Sequence, residues 1–234
     1  MADPRQFLFI DPYFEKRRQS VAKILFDPDR LRNQKRITRE LKGRGSTYFF
    51  NFAGKNCVLR HYWRGGFARK LSKDGYLWLG LKRSRAYREW KILEKIRELG
   101  LPAPRTVAIR IQRRGLLCRS DIVTTEIEGA ESFGKLLRNG LMETDVWEKV
   151  GSVIRKYHDH GIFHQDLNAN NILVNQDQIY LIDFDRARIC KGEWWKPRML
   201  GRLKGALEKS KFKYQSFHYS EEDWQALMAG YEAA

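Results

Sequence analysis

His164-Gln165-Asp166-Leu167-Asn168-Ala169-Asn170-Asn171, continuing as ILVNQDQIYLIDFD to Asp185, gathers three polar residues, Asp166, Asn171 and Asp183, into one loop and hairpin. Two short apolar runs, Ile172-Leu173-Val174 and Ile179-Tyr180-Leu181-Ile182, flank the turn-rich Asn175-Gln176-Asp177-Gln178, which reads as a β-hairpin. The hairpin sets Asn171 at the entrance of one strand and Asp183 at the exit of the other, so both side chains address the same space. Two oxygen donors beside a further carboxylate suit a hard, hydrated cation such as Mg²⁺, which takes few protein ligands alongside substrate phosphates. In outline this is a metal and phosphate site.

The spacing resembles the protein-kinase superfamily, whose catalytic loop H-R-D-L-x-x-x-N is followed by D-F-G. His164, Asp166, Leu167, Asn171, Asp183 and Phe184 match. Gln165 stands at the arginine position, Asn168 where protein kinases usually carry lysine, and Asp185 at the glycine. These departures bear on a protein substrate more than on the fold.

The 234 residues suffice for one two-lobed domain with a proper core, and 42% hydrophobic residues without low-complexity tracts read as globular. No apolar run approaches the roughly 20 residues of a membrane span, and the start MADPRQFLFIDPYFEKRR carries no signal-peptide pattern. A cytosolic setting is expected. Cys57, Cys118 and Cys190 are scattered and odd in number, suggesting neither a disulfide framework nor a zinc site. Against this neutral background the charge stands out: 45 Lys and Arg against 28 Asp and Glu, a formal +17. Such a field attracts polyanions, and its sign alone does not choose among them.

Residues 1 to about 45 are basic, punctuated by Pro4, Pro12 and Pro28, and read as peripheral structure. Lys42-Gly43-Arg44-Gly45-Ser46 then leads into a hairpin with strands Thr47–Phe52 and Cys57–Arg60 around Gly54-Lys55-Asn56. A glycine-bearing turn lets backbone amides approach phosphates, so Gly43, Gly45 and Ser46 are nucleotide-site candidates. The third glycine of the kinase loop is missing. Gly65-Gly66 and the run Arg69, Lys70, Lys73 suggest a cationic connection. The best helix of the first half runs from Ser84, as N-cap, to Leu99, stopped by Gly100. Ala86, Glu89, Leu93 and Ile96 share one face, which puts an acid on the packed side. A carboxylate there needs a partner. Arg60, ending the second strand, is the natural candidate, with an Arg85–Glu89 surface pair as the alternative.

Val107, Ile109 and Ile111 alternate before the turn at Arg113-Arg114-Gly115, and Leu116 to Ile127 adds extended pieces, completing a small antiparallel sheet. A helix carrying Val146, Val150, Val153, Ile154 and Tyr157 on one face ends at His160-Gly161 and delivers the chain to His164, which braces the loop from within. About fifty residues follow Asp185. Lys191 to Lys213 interleaves Trp194, Trp195, Met199, Leu200, Leu203 and Leu207 with basic residues; it suits either a membrane interface or a core helix with a solvated face. Ser220-Glu221-Glu222-Asp223 opens a last helix with Trp224, Leu227, Met228 and Tyr231 inward.

Val58 to Gly66 (VLRHYWRGG), Arg88-Glu89 through Leu101-Pro102-Ala103-Pro104, and Ile182 to Ala187 (IDFDRA) together resemble the lipopolysaccharide-core kinases that act on 3-deoxy-D-manno-octulosonic acid (Kdo). The resemblance covers most of the chain. It implies an α+β, bilobal protein-kinase-like fold: residues 1–126 an antiparallel-sheet lobe with one main helix and a basic N-terminal segment, residues 127–234 a minimal, mostly helical catalytic lobe. It implies ATP and Mg²⁺ as cofactors. Asp166 would be the catalytic base and Asn171 and Asp183 the metal ligands. Arg60, fixed by Glu89, would hold phosphates near Gly43, Gly45 and Ser46, and Glu126 and Ile127 would form the adenine-binding hinge. The implied acceptor is the 4-hydroxyl of Kdo on a lipid A precursor, met at the cytoplasmic face of the anionic Gram-negative inner membrane, with no nucleic acid partner. Gln165 in place of arginine implies no activation-loop switch. A small atypical protein kinase or ATPase, or a catalytically degenerate basic scaffold, are the alternatives.

Overall fold

The computed structural model describes residues 5–42, 45–64, 74–176 and 178–234. The chain divides into two compact units, Met1–Glu94 with Pro104–Glu128, and Lys95–Ala103 with Gly129–Ala234. Gly43, Gly65-Gly66, Arg69, Lys70 and Lys73 lie outside the described residues.

The first unit is a sheet that, among the described residues, has seven strands. β1 (Arg5–Ile10), β2 (Ile37–Lys42), β3 (Ser46–Phe52), β4 (Lys55–His61), β6 (Thr106–Arg114) and β7 (Leu117–Thr125) run in the order β1-β6-β7-β4-β3-β2. The short β5 (Tyr76–Leu77) pairs with β7, and every pairing is antiparallel. Val107, Ala108 and Ile109 in succession are buried, so the middle of the sheet is covered on both faces. One cover is helix α3 (Arg85–Glu98), which meets Phe9 through Tyr87 and Trp90. The other is the N-terminal segment. Ile10, Phe14, Val21, Leu25, Phe26 and Leu31 form one cluster with Phe50, Cys57 and Val123.

That segment was expected to be peripheral, yet it supplies two strands and a helical layer. Its helices α1 (Arg18–Ile24) and α2 (Pro28–Asn33) bury single apolar side chains, Val21 and Leu31, too few to show a periodic stripe in sequence. The β3–β4 turn also differs from expectation. It is Ala53-Gly54, both at positive φ (56° and 73°), and Lys55 and Asn56 belong to the strand. A two-residue connection with both φ positive matches the right-handed twist of the strands. Ser84 precedes α3 as expected, but its hydroxyl donates to the Leu81 carbonyl at 2.7 Å. Gly100, at φ 68°, ends the helix.

The second unit is mostly helical. α4 (Phe133–Asn139) and α5 (Thr144–Asp159) precede β9 (Ile162–Phe163), and β10 (Ile172–Val174) and β11 (Ile179–Leu181) form the hairpin. β8 (Glu131–Ser132) pairs with β10 and β12 (Arg188–Ile189) with β9. α6 (Lys196–Lys213) and α7 (Glu221–Glu232) follow. Trp147, Val150, Ile154 and Tyr157 of α5 are buried. α5 and α7 touch backbone to backbone: a Cβ on Gly151 would sit 1.9 Å from the Leu227 carbonyl oxygen, and one on Gly230 2.0 Å from that of Glu148. Ser220 and Asp223 close a capping box at the start of α7. Met199, Leu200, Leu203 and Leu207 make α6 a core helix with a solvated basic face, while Trp194 just before it and Phe212 near its end stay exposed.

Candidate active site

The loop after β9 is held from below by His164 and from within by two amides. Buried His164 donates from Nε2 to the Ile182 carbonyl at 2.9 Å, and its ring lies 5.0 Å from that of Phe184. Its Nδ1 is buried without a hydrogen-bond partner. Burial, the largest influence, lowers the pKa of this imidazole and keeps it neutral. Phe184 in turn stacks on Tyr157, whose hydroxyl donates to the Pro102 carbonyl at 2.6 Å. The loop is thereby tied to α5 through an aromatic column.

Asp166 stands on the exposed side of this loop. Its backbone carbonyl accepts from Asn168 Nδ2 at 2.7 Å and from Asn171 Nδ2 at 2.9 Å. Asn168 Oδ1 also accepts from the Asn170 amide at 2.9 Å, so the residue at the protein-kinase lysine position works as a loop brace. With its nitrogen engaged, Asn171 offers Oδ1 as an oxygen donor. The Ile182 amide donates to the Asn171 carbonyl at 3.0 Å, extending the register Ile172↔Leu181 by one step. That step pairs Asn171 with Ile182, and Asp183 follows directly where the chain leaves the ladder. Asp183 takes φ 65°, a left-handed conformation for a non-glycine residue. Such conformations cost on the order of 1 kcal/mol and concentrate at functional sites. An amide oxygen and a carboxylate are the donor types that suit Mg²⁺, a hard ion that completes its shell with water and phosphate oxygens.

In the first unit, the Arg60 guanidinium is paired with Glu89, which is 1% exposed on its side chain. Tyr62 donates its hydroxyl to the other carboxylate oxygen at 2.5 Å. The buried carboxylate thus receives a cation and a neutral donor, which meets the cost of removing it from water. Tyr62 was not anticipated. Its place two residues after Arg60, on the same side of an extended chain, is the signal that would have found it.

Arg60 opens on a cleft of about 260 Å³ lined also by Lys42, Gly45, Ser46, His61 and Trp63. A Cβ on Gly45 would fall 1.8 Å from Trp63 Nε1, so a side chain there would displace the indole. Ser46 Oγ donates to Glu40 at 2.8 Å, and Ser46 is paired with Lys42 at the end of the β2–β3 ladder. His61 sits between two carboxylates, Asp121 at 2.6 Å and Asp74 at 3.3 Å. Burial opposes its charge, but the bonds and charges of Asp121 and Asp74 outweigh it and raise the imidazole pKa. Glu126 accepts from Arg39 at 2.8 Å, and its amide donates to the Asn56 carbonyl at 2.8 Å. Ile127 follows, half-buried.

Asp166 carries a second unanticipated contact. Arg202 of α6 donates from Nη2 to Asp166 Oδ1 at 2.6 Å. Thirty-six positions separate the two, and no spacing rule links them.

A strand arginine braced by a helix glutamate in a sheet-rich unit, and a carboxylate loop with its hairpin in a helical one, define a protein-kinase-like phosphotransferase. Comparison with known proteins narrows the class. Residues 29–231 match the model of the Lipopolysaccharide kinase (Kdo/WaaP) family, and the chain belongs to that family. It is 38% identical to the 3-deoxy-D-manno-octulosonic acid kinase of Haemophilus influenzae (strain PittEE) over 98% of this chain and 97% of that protein. It is 36% identical to the enzyme of the same name from Vibrio vulnificus (strain YJ016), over 89% of each. Among solved structures, WaaP in complex with acyl carrier protein superposes with a TM-score of 0.59 over 98% of this chain and 89% of that one, at 18% identity. That likeness establishes the shared kinase-like fold.

Proposed function

We propose that the protein transfers the γ-phosphate of ATP to the 4-hydroxyl of Kdo in a Kdo–lipid A precursor, a step of lipopolysaccharide core synthesis. The observation that supports this reading is the clamped loop: Asn168 and Asn171 both hold the Asp166 carbonyl, and the Asn171 carbonyl accepts from Ile182, the residue before Asp183. Asp166 orients the acceptor hydroxyl and takes its proton as the new O–P bond forms and the bond to the ADP oxygen breaks. Asn171 and Asp183 are the residues that would hold Mg²⁺, whose contribution when bound is to neutralise charge on the phosphates. Arg60, kept in place by Glu89 and Tyr62, grips phosphate oxygens with its planar fork. Gly45 and Ser46, which line the cleft beside Arg60, meet the same phosphates. With the Glu126 amide spent on Asn56, adenine recognition falls to the Glu126 carbonyl and to Ile127.

The acceptor is lipid-borne, and we place the protein peripherally on the cytoplasmic face of the anionic inner membrane. No helix among the described residues is long and apolar enough to cross a membrane. The net +17 and the exposed Trp194 and Phe212 support docking there. Family membership and the retained Asp166, Asn171 and Asp183 weigh against the scaffold and protein-kinase alternatives.

The test is transfer of labelled phosphate from ATP–Mg²⁺ to a Kdo–lipid A precursor by the wild type and by Asp166→Asn. The wild type is expected to phosphorylate the sugar, and the folded variant to lose on the order of 10²- to 10⁴-fold in rate. A folded wild type that binds ATP but leaves the precursor unmodified would overturn the assignment.

A further inference from the structure

We propose that Arg202 is the residue that binds the carboxylate of the acceptor, and that it does so by leaving Asp166. The proposal rests on the Kdo-kinase reading and assigns the part of that site which recognises the acid. Arg202 Nη2 occupies Oδ1 of Asp166 at 2.6 Å, with the two side chains 53% and 47% exposed. The oxygen that should receive a hydroxyl proton therefore already has a donor on it. An ion pair this exposed is worth at most about 1 kcal/mol, so an incoming anion displaces it at little cost.

The helix beneath is fixed. Met199, Leu203 and Leu207 are buried, and α6 contacts the turn Ala169–Asn171, so the arginine backbone stays put while its long side chain is free to change partner. Arg198, one turn earlier on the same face, is exposed and adds a second guanidinium. The cation beside the base thus comes from α6, because Asn168 at the protein-kinase lysine position is committed to the loop.

Kdo is an octulosonic acid, and at neutral pH it presents a carboxylate. A guanidinium matches a carboxylate with two parallel hydrogen bonds, where Asp166 receives one. Exchanging Asp166 for the sugar carboxylate keeps Arg202 paired and clears Oδ1 for the hydroxyl. Water and neutral alcohols bring no carboxylate to drive that exchange, so the acid group of the acceptor both binds and unmasks the base.

The experiment compares kcat/KM of the wild type and Arg202→Gln on two acceptors, the natural acid and the same precursor with its Kdo carboxylate converted to the primary amide. The wild type should lose roughly 10- to 100-fold on the amide, the loss expected when a hydrogen bond to a charged group is removed. Arg202→Gln should act on both acceptors equally, at up to about fivefold above the wild-type rate on the amide because Asp166 is then unmasked, with KM for ATP unchanged. Arg202→Lys should recover part of the preference for the acid. Circular dichroism melting confirms that the variants fold, as expected for an exposed helical position. If the variant falls by the same factor on both acceptors, or keeps the wild-type rate on the acid, the assignment is wrong while the Kdo-kinase reading stands. If the wild type modifies neither acceptor, that reading fails and takes the assignment with it.

Discussion

Glu89 is a carboxylate buried at a helix–strand contact, and its neighbours divide the work of keeping it there. Arg60 neutralises it and Tyr62 satisfies its second oxygen. Hydrogen bonds to charged groups contribute about 1.5–3 kcal/mol. Tyr62→Phe should therefore lower unfolding stability by about 2 kcal/mol in urea denaturation and, by loosening Glu89, raise KM for ATP severalfold. An unchanged KM would show that Arg60 keeps its position without the tyrosine. The pairing of Arg60 with Glu89 was legible because an acid on the apolar face of a predicted helix demands a partner, and a strand-end cation was at hand. Tyr62 and Arg202 were not, since one reads as an ordinary aromatic strand residue and the other as one more cation on a basic helix. Asp166, Asn171 and Asp183 could be singled out because they fall within twenty residues at the spacing of the kinase catalytic loop and its D-F-G, across a locally patterned loop and hairpin.

At the scale of elements, helices and hairpins with strong local patterns were legible, and those held by single contacts were not. α3, α5 and the β10–β11 hairpin follow from periodicity; α1, α2 and β1 follow from burying scattered side chains against a sheet that the local sequence does not show. The crossing of α5 and α7 is of this second kind. Gly230→Ala would place a methyl group 2.0 Å from the Glu148 carbonyl oxygen, a backbone atom that cannot turn aside. Helix propensity favours the substitution by up to about 1 kcal/mol, but overpacking of this sort costs about 1–3 kcal/mol and here forces two helices apart. A lowered thermal midpoint is expected, and a raised one would show that the helices separate freely. His158 lies in the same interface, with Nδ1 2.8 Å from the Tyr231 hydroxyl and its ring against Trp195. Burial first, then the charge of Lys196, push its pKa down to about 4, with Arg155 adding to the shift and Asp159 opposing it. The unfolded imidazole titrates near 6.5. Its contribution to stability is complete above pH 6.5 and is lost as pH falls toward 4, by roughly 3 kcal/mol for this group. His158→Gln keeps a hydrogen-bonding partner for Tyr231 without the titration, so its stability should fall less than that of the wild type between pH 6.5 and 4. Parallel stability curves would place the acid sensitivity elsewhere, the buried His164 being the next candidate.

The whole molecule carries 45 cations against 28 anions, and composition made that excess legible while leaving open where it acts. An anionic bilayer attracts each Lys or Arg near its surface with about 1 kcal/mol, an effect confined to a Debye length of about 8–10 Å. Charge alone therefore predicts salt-sensitive binding. A salt-resistant part requires apolar side chains that enter the interface, and Trp194 (71% exposed) and Phe212 (92% exposed) bracket the basic face of α6 with two such groups. The protein should sediment with vesicles containing phosphatidylglycerol and stay in solution with phosphatidylcholine alone. Raising salt to about 0.5 M, where the Debye length shrinks below about 5 Å, should release most of it. The remainder should disappear in Trp194→Ser/Phe212→Ser, a double change at exposed positions that leaves Trp195 and Leu207 in the core. Equal binding to neutral and anionic vesicles would remove the charge excess from the account of docking. Loss of binding in salt with no further effect of the double change would leave α6 a core helix whose aromatics have no part in it.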